Sequence, residues 1–163
     1  MYMGADPVLQ TLARLGIEHE IILVDPALAD TALFCQHYGY PLEQSANTIL
    51  VASKKEPKAY AACVVLATTK LDVNRRVREL LGVKRASFAT ADEMRTLTGM
   101  EVGGLTPFGL PEGVPLWVDG RVFAVDWVIV GGGGRDYKVK LAPQALLAAG
   151  GKSIEDLAAP IAG

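Results

Sequence analysis

The chain has 163 residues, half of them hydrophobic, and a formal net charge of −2. This length allows one sizeable core, and the hydrophobic content excludes a disordered chain. No apolar run approaches the roughly 20 residues that a membrane helix needs, and residues 1–7 lack the pattern of a secretory signal. Cys35 and Cys63 lie in apolar segments without a CxxC pair. Buried thiols and a reducing, cytoplasmic location are therefore expected.

Apolar periodicity, caps and turn residues predict an alternation of short elements along the chain. The predicted helices cover 7–15, 31–38, 72–81 and 91–97, with a last helix from Pro143. The predicted strands cover 18–24, 48–52, 59–67, 87–89, 115–118, 121–124, 127–130 and 137–141. Asp119-Gly120 is expected to form a hairpin turn, and the tail from Gly150 is expected to be peripheral.

Strands dominate the centre of this order, and helices do not alternate regularly with them. This favours an α+β fold (mixed α/β) with a mixed, mainly antiparallel sheet over a doubly wound one. No linker or internal repeat divides the chain, so residues 1–163 are predicted to form one domain.

Charge is distributed unevenly along the sequence. Residues 54–95 carry ten Lys or Arg and five Asp or Glu, whereas residues 1–53 carry one basic and six acidic side chains. A local basic surface can attract phosphates, but charge alone favours an ordinary solvated helix face.

Two common catalytic arrangements are disfavoured by the residue types present. His19 and His37 occur without an HxH, HExxH or cysteine cluster, so neither a metal nor a cofactor is predicted. No GxSxG motif is present. The glycine run 131–134 is followed by a predicted strand instead of a helix, which disfavours a phosphate loop and favours a turn that lines a cleft.

The most informative segment is residues 99–109, which belong to an irregular, glycine-rich loop over residues 99–113. Gly103 and Gly104 would let backbone N–H groups point at a ligand, while Pro107 fixes the backbone. Thr106 offers a hydroxyl and Phe108 an apolar wall. Such a loop suits an oxyanion hole, but it also suits a simple turn between a helix and a strand.

Several motifs in order resemble the YbaK/prolyl-tRNA-synthetase-associated editing domain family of aminoacyl-tRNA deacylases. The run 97–99 followed by 103–109 matches the family's threonine-glycine and GG-x-[ST]-P-x-G signature, which contains a GxxxP element at 103–107. Segments 64–66, 70–72, 81–83 and 89–93 resemble its core, and Asp126, the glycine run and 139–143 resemble its closing part. The resemblance extends from about residue 30 to residue 147.

The resemblance implies a curved sheet flanked by helices and, as in freestanding members, trans-editing hydrolysis of the ester of mischarged tRNA. A positioned water would attack, helped by the substrate's ribose hydroxyl, without a metal or covalent nucleophile. The expected partners are the aminoacyl-tRNA acceptor end and, in some members, an aminoacyl-tRNA synthetase, with no membrane contact. The oligomeric state and the cognate amino acid stay open.

The resemblance also assigns roles to individual positions. The catalytic candidates are Asn47, Gly103, Gly104 and Thr106. The substrate-binding candidates are Thr48, Lys70, Leu105, Pro107, Phe108, Gly109, Asp126, Gly131, Gly132 and Lys138. The candidates for contacting the tRNA backbone are Lys54, Lys55, Lys58, Arg75, Arg76 and Arg78.

One of these positions departs from the family pattern. The family usually has a lysine just before a Thr-Leu strand, and Asn47 stands at that place. Asparagine can donate and accept hydrogen bonds but supplies no cation. Two hypotheses follow: Lys70 provides the charge from a neighbouring strand, or the domain is a weakened or inactive module that binds aminoacyl-tRNA. Lys138 stands about where some synthetase-inserted members carry a histidine.

Overall fold

The computed structural model describes residues 6–101 and 103–161, which form a mixed α+β fold. The α-helices are α1 (Pro7–Arg14), α2 (Thr31–Tyr38), α3 (Arg78–Leu81), α4 (Ala91–Thr98) and α5 (Ala145–Ala148). The strands are β1 (His19–Leu23), β2 (Ala46–Ser53), β3 (Tyr60–Leu66), β4 (Thr69–Leu71), β5 (Ala86–Phe88), β6 (Leu116–Asp119), β7 (Val128–Gly131), β8 (Tyr137–Leu141), β9 (Lys152–Ile154) and β10 (Ala158–Pro160). Within these residues, no helix combines the length and the apolarity needed to cross a membrane.

A five-stranded sheet in the order β5-β2-β3-β6-β9 forms the centre of the molecule. β2 and β3 form an antiparallel hairpin, and β6 lies parallel to both β3 and β9. Because β3 is apolar on consecutive residues, it can be covered on both faces. Its residues 61–66 are all buried, which makes this hairpin the centre of the fold.

A second, antiparallel sheet has the order β1-β8-β7, and a bridge between Ser45 and Ile129 connects it to the start of β2. The largest hydrophobic cluster contains residues of both sheets, among them Val64 and Val139. β4 and β10 form a separate two-stranded pair. Within the described residues five of the seven strand pairings are antiparallel, so the predicted mixed, mainly antiparallel arrangement is confirmed.

The predicted starts of α1, α2 and α4 are confirmed, whereas the last helix, α5, begins at Ala145 and not at the predicted Pro143. The Asp6 carboxylate accepts hydrogen bonds from two N–H groups of α1, and Thr90 with Glu93 forms a capping box on α4. Asp30 precedes α2 as predicted, but its side chain makes no capping hydrogen bond. The predicted helix 72–81 begins instead as a π-helical turn, Val73–Val77, that continues into α3.

The prediction of a strand over 121–124 is wrong, and so is the hairpin turn at Asp119-Gly120. Residues Gly120–Ala124 form a 3₁₀ helix that leaves the end of β6. Asp119 is fully buried, and its carboxylate accepts hydrogen bonds from Arg121 and from the Leu157 N–H. A buried carboxylate needs such partners, and they direct the chain away from a hairpin.

The prediction of a peripheral tail is also wrong. The tail contributes β9 to the edge of the central sheet and β10 to the pair with β4. Leu157 is fully buried, and Ile154 belongs to the same hydrophobic cluster. Only a few apolar residues anchor this segment, so its sequence lacks the periodicity that would have predicted a strand.

Candidate functional site

A cleft opens beside the first half of β2. β5 pairs only with residues Val51, Ala52 and Ser53, which leaves the preceding part of the same β2 edge uncovered by β5. The cleft has a volume of about 340 Å³ and combines polar with apolar walls. It is lined by Asp30, Thr31, Ala46, Asn47, Thr48, Ile49, Leu50, Phe88, Ala89, Met94, Gly103, Leu105, Gly131 and Lys138.

Backbone groups of β2 contribute to this cleft. Leu50 C=O accepts from Ala89 N–H at 2.9 Å, and Lys54 N–H donates to Arg85 C=O at 3.1 Å, so even-numbered positions of this strand point away from β3. Because backbone direction alternates along a strand, the N–H and C=O of Thr48 point to the uncovered edge. The Thr48 hydroxyl is buried and has no hydrogen-bond partner in the described chain, which is unusual for a native polar group.

Asn47 is oriented by the first residue of α2. The Thr31 hydroxyl donates to Asn47 Oδ1 at 2.6 Å. A side-chain amide has one accepting and one donating end, so this bond directs the NH₂ group elsewhere. Within residues 6–101 and 103–161 that NH₂ group has no hydrogen-bond partner, and it remains available to donate in the cleft.

The opposite wall is built from two glycine segments in close contact. Gly133 N–H donates to Gly104 C=O at 2.6 Å, and Glu101 N–H donates to Gly133 C=O at 3.0 Å. A Cβ atom on Gly131 would lie 2.5 Å from the Leu105 carbonyl oxygen. The run 131–134 therefore serves backbone-to-backbone packing, as expected where two chains approach closely.

Gly103 meets a charged pair at the rim of the cleft. Its φ of 83° lies in the left-handed region, and a Cβ atom there would overlap the Arg135 guanidinium group. The Arg135 Nη1 atom lies 3.3 Å from Asp30 Oδ1. The ion pair joins residues 105 positions apart in sequence and holds the start of α2 against the loop.

Of the loop amides, only some can face a ligand. Gly104 N–H already donates to Glu101 C=O at 2.9 Å, so the prediction that it points at a ligand is wrong. The N–H groups of Gly103 and Leu105 donate to no other backbone group in the described chain, and both residues line the cleft. These two amides are the loop donors that remain available at the cleft.

Lys138 supplies a buried cation to the cleft. It is 8% exposed, and its ammonium group lies 5.1 Å from the centroid of the Phe34 ring. Burial lowers the pKa of Lys138, and nearby Arg135 lowers it further, while the carboxylate of Asp30 acts in the opposite direction. The second strand lysine, Lys140, lies instead over Trp127 at 4.3 Å and does not line the cleft.

This arrangement lies within a segment that matches a known family. The sequence model of the aminoacyl-tRNA editing domain family matches residues 25–149, which is more than three quarters of the chain. The chain belongs to the aminoacyl-tRNA editing domain family. The resemblance noted from the sequence motifs is therefore confirmed.

Solved structures with the same fold cover nearly the whole editing domain. The hypothetical protein APE2540 is 25% identical, with a TM-score of 0.83 over 94% of this chain and 99% of that one. A proposed trans-editing enzyme for prolyl-tRNA synthetase is 21% identical, with a TM-score of 0.81 over 95% of this chain and 97% of that one. A scaffold protein used for epitope grafting is 19% identical, with a TM-score of 0.81 over 95% of this chain and 97% of that one.

Six of the residues selected from the sequence lie together in the cleft of the editing domain, although they come from four separate segments. They are Asn47, Thr48, Gly103, Leu105, Gly131 and Lys138. The remaining loop candidates lie elsewhere. Thr106 is fully buried with its hydroxyl 3.4 Å from Phe108 N–H, and Pro107 is buried beside it. Phe108, Gly109 and Gly132 line a second cavity of about 500 Å³.

Two other substrate-binding candidates lie outside the cleft lining. Lys70 is exposed on β4 opposite Ala159, so the structure does not place it where it could replace the missing lysine. Asp126 is exposed, and its carboxylate accepts from Gln44 Nε2 at 2.9 Å. Neither residue is among those that surround Asn47.

The six predicted tRNA-contacting cations differ in their surroundings. Lys54 and Lys55 line an exposed groove, which Lys84 and Arg85 also line. Lys58 is paired with Glu93, and Arg75 with Asp72. Arg76 donates to the Glu155 carbonyl, and Arg78 donates to the Asn74 carbonyl.

Sequence reasoning missed the contributions of Asp30, Thr31, Phe88 and Met94 to the cleft. Asp30 was interpreted only as a helix cap, and its position before α2 fits both a cap and an ion pair with a distant arginine. No local pattern distinguishes these roles.

Among the described residues no group of three or more His, Cys, Asp and Glu side chains could hold a metal ion.

Proposed function

We propose that this editing domain hydrolyses the ester bond of mischarged aminoacyl-tRNA in trans. The observation that carries the proposal is the meeting of Asn47, Gly103 and Gly131 in one cleft. These residues belong to three motifs far apart in sequence, and membership of the editing family supplies the reaction class. The volume of about 340 Å³ suits a small amino acid attached to a ribose.

The geometry supports stabilisation by the backbone, without a side-chain nucleophile. The amides of Gly103 and Leu105 can donate to an ester carbonyl oxygen whose negative charge grows as water attacks. The amide NH₂ group of Asn47, fixed by Thr31, can donate to the ribose or the ester from the opposite wall. Cys63 does not compete as a nucleophile, since burial raises the pKa of its thiol to about 12.

The groove lined by Lys54, Lys55, Lys84 and Arg85 is the surface that best fits the tRNA backbone. These four cations are exposed, and no ion pair involving them is found within the described residues. β2 runs from the cleft to this groove, and seven residues of extended chain cover about 23 Å. Phosphates some nucleotides away from an acceptor end in the cleft could therefore reach the groove.

Release of the amino acid tests the proposal directly. The protein is incubated with alanyl-, cysteinyl-, seryl- and threonyl-tRNA prepared on non-cognate tRNAs, and free amino acid is measured over time. Faster release than in buffer, for at least one of the four, is expected. Release at the background rate for all of them would contradict the proposal.

A second candidate function is binding of aminoacyl-tRNA without hydrolysis, which the asparagine at position 47 favours. In this case the protein protects the ester and binds the charged tRNA more tightly than the uncharged one. The variant Asn47→Lys separates the two candidates. If it creates hydrolysis in a protein that otherwise has none, the natural domain is a binding module; if the natural protein is already fast, this alternative fails.

A further inference from the structure

Lys138 is a buried cation without an anionic partner of its own. Within the part of the chain that the structure describes, its ammonium group makes no ion pair and no hydrogen bond. Its neighbour on one side is the ring of Phe34, 5.1 Å away. Burial of a charge without compensation is unfavourable, so a protein keeps such a group where something else, such as a ligand, compensates it.

The strand pairing directs this lysine toward the cleft. β8 lies between β1 and β7, and the residue opposite Lys138 on β7 is Gly131. Cross-strand partners lie on the same face of a sheet. The Cβ position of Gly131 faces the Leu105 carbonyl, so Lys138 lies on the face that the loop covers.

We propose that Lys138 provides the positive charge of the editing site, in place of the lysine that is absent at position 47. The proposal rests on the hydrolytic function proposed above. It names the cationic group of the site, which the proposed function does not specify. The ammonium group would compensate the negative charge that forms on the ester oxygens during hydrolysis.

In the hydrolytic step, a water oxygen bonds to the ester carbonyl carbon and the carbonyl oxygen takes up the electron pair of its π bond. Collapse of this intermediate breaks the bond to the ribose oxygen. That oxygen takes up one proton that the attacking water has lost, and the other proton of the water stays with the new carboxyl group or is released to solvent. The products are the free amino acid and a tRNA with its hydroxyl restored. A cation next to these oxygens stabilises the intermediate more than the neutral ester.

The other cations considered for this role are less suited to it. Arg135 is held by Asp30 and by the carbonyl of Pro26, which it reaches at 2.9 Å. Lys70 is exposed on β4 and does not line the cleft.

The test compares Lys138→Met with Lys140→Met. Both lysines belong to β8, are two residues apart, and lie over an aromatic ring, but only Lys138 lines the cleft. Single-turnover hydrolysis of the best of the four mischarged tRNAs is measured together with the melting temperature. Lys138→Met is expected to lower the rate constant about 100-fold, the typical loss for one stabilising donor, while the fold is retained. Lys140→Met is expected to keep the natural rate.

A rescue experiment distinguishes a required charge from a required shape. In the double variant Asn47→Lys, Lys138→Met, the cation returns on the opposite wall of the cleft, and recovery of at least tenfold over Lys138→Met alone is expected. An unchanged rate in Lys138→Met would overturn the inference while leaving the proposed function intact. If the natural protein releases no amino acid from any of the four, the proposed function itself fails. Equal losses in both single variants would also overturn the inference, because they would indicate a structural role of β8.

Discussion

The Thr31 hydroxyl donates to Asn47 Oδ1 at 2.6 Å, joining the first residue of α2 to the second residue of β2. This bond fixes which end of the Asn47 amide faces Thr31. It also holds the start of a surface helix at the uncovered edge of the central sheet. Asn47 therefore presents a donor to the cleft, and the hydroxyl of Thr31 determines that orientation.

The first prediction concerns this bond. Thr31→Val preserves the shape of the side chain but removes the donor, which costs about 0.5–1.5 kcal/mol. We expect Asn47 to lose its fixed orientation and the rate of ester hydrolysis to fall by about tenfold. Thr11→Val is the control, because its hydroxyl also donates within the chain, at 2.8 Å to the Pro7 carbonyl, but it does not line the cleft. An equal effect of both variants on the hydrolysis rate would contradict the prediction.

The second prediction concerns the contact between the two glycine segments. In Gly131→Ala the new Cβ would lie 2.5 Å from the Leu105 carbonyl oxygen, so the loop must move. We expect unfolding to become easier by about 1–3 kcal/mol, as for other overpacked sites, and hydrolysis to fall at least tenfold. Gly120→Ala is the control, because its Cβ would meet the nearest atom at 3.9 Å. Denaturant unfolding measures the stability, and single-turnover kinetics measures the rate of hydrolysis. If Gly131→Ala hydrolysed the ester as fast as the natural protein, the assigned loop geometry would be contradicted.

The third prediction concerns stability and pH at Lys138. Burial lowers the pKa of this lysine in the folded state, as does Arg135, while Cys35 and Asp30 act in the opposite direction. Between the folded and unfolded pKa values the unfolded chain binds more protons, so the natural protein gains stability as pH rises through that window. Lys138→Met avoids the free-energy cost of burying a charged ammonium group. We therefore expect it to melt about 2–4 °C higher than the natural protein at neutral pH, equivalent to about 1 kcal/mol.

The difference in melting temperature between the two proteins should shrink as pH rises toward the ordinary lysine range. Taking the difference removes the contribution of groups that titrate in both proteins. A difference that stays constant with pH, or a less stable Lys138→Met at neutral pH, would show that the lysine is retained for packing. Either result is independent of the hydrolysis assay.

The fourth prediction concerns the exposed groove. We expect Lys54→Ala with Lys84→Ala to weaken tRNA binding and to lower the slope of log affinity against log salt by about one for each phosphate that is no longer neutralised. Arg75→Ala is the matched control, because its guanidinium already pairs with Asp72 at 3.3 Å. Filter binding at several salt concentrations measures the slopes, and equal slopes in the double variant and the natural protein would exclude the groove as a tRNA-binding surface.

Local patterns predicted much of the fold. Helix α2 begins and ends at the predicted residues, because Asp30 precedes it and Gly39 ends it in the left-handed region. Strand β8 also has the predicted bounds, because apolar residues alternate with lysines along it. The sequence-based predictions fail where a contact between residues distant in sequence determines the local structure. The 3₁₀ helix after β6 follows from Asp119, whose carboxylate accepts from the Leu157 N–H at 3.1 Å, 38 residues away.

The sequence by itself determined the family and the loop that identifies it, because the order and spacing of the signature residues can be read from the sequence alone. It could not determine which residues share the cleft. Lys70 and Lys138 are both lysines in or beside apolar strands, yet one is exposed on β4 and the other is buried opposite Gly131. Only the pairing of strands that are distant in sequence separates them, because the face and the depth of a strand residue depend on its neighbours in space.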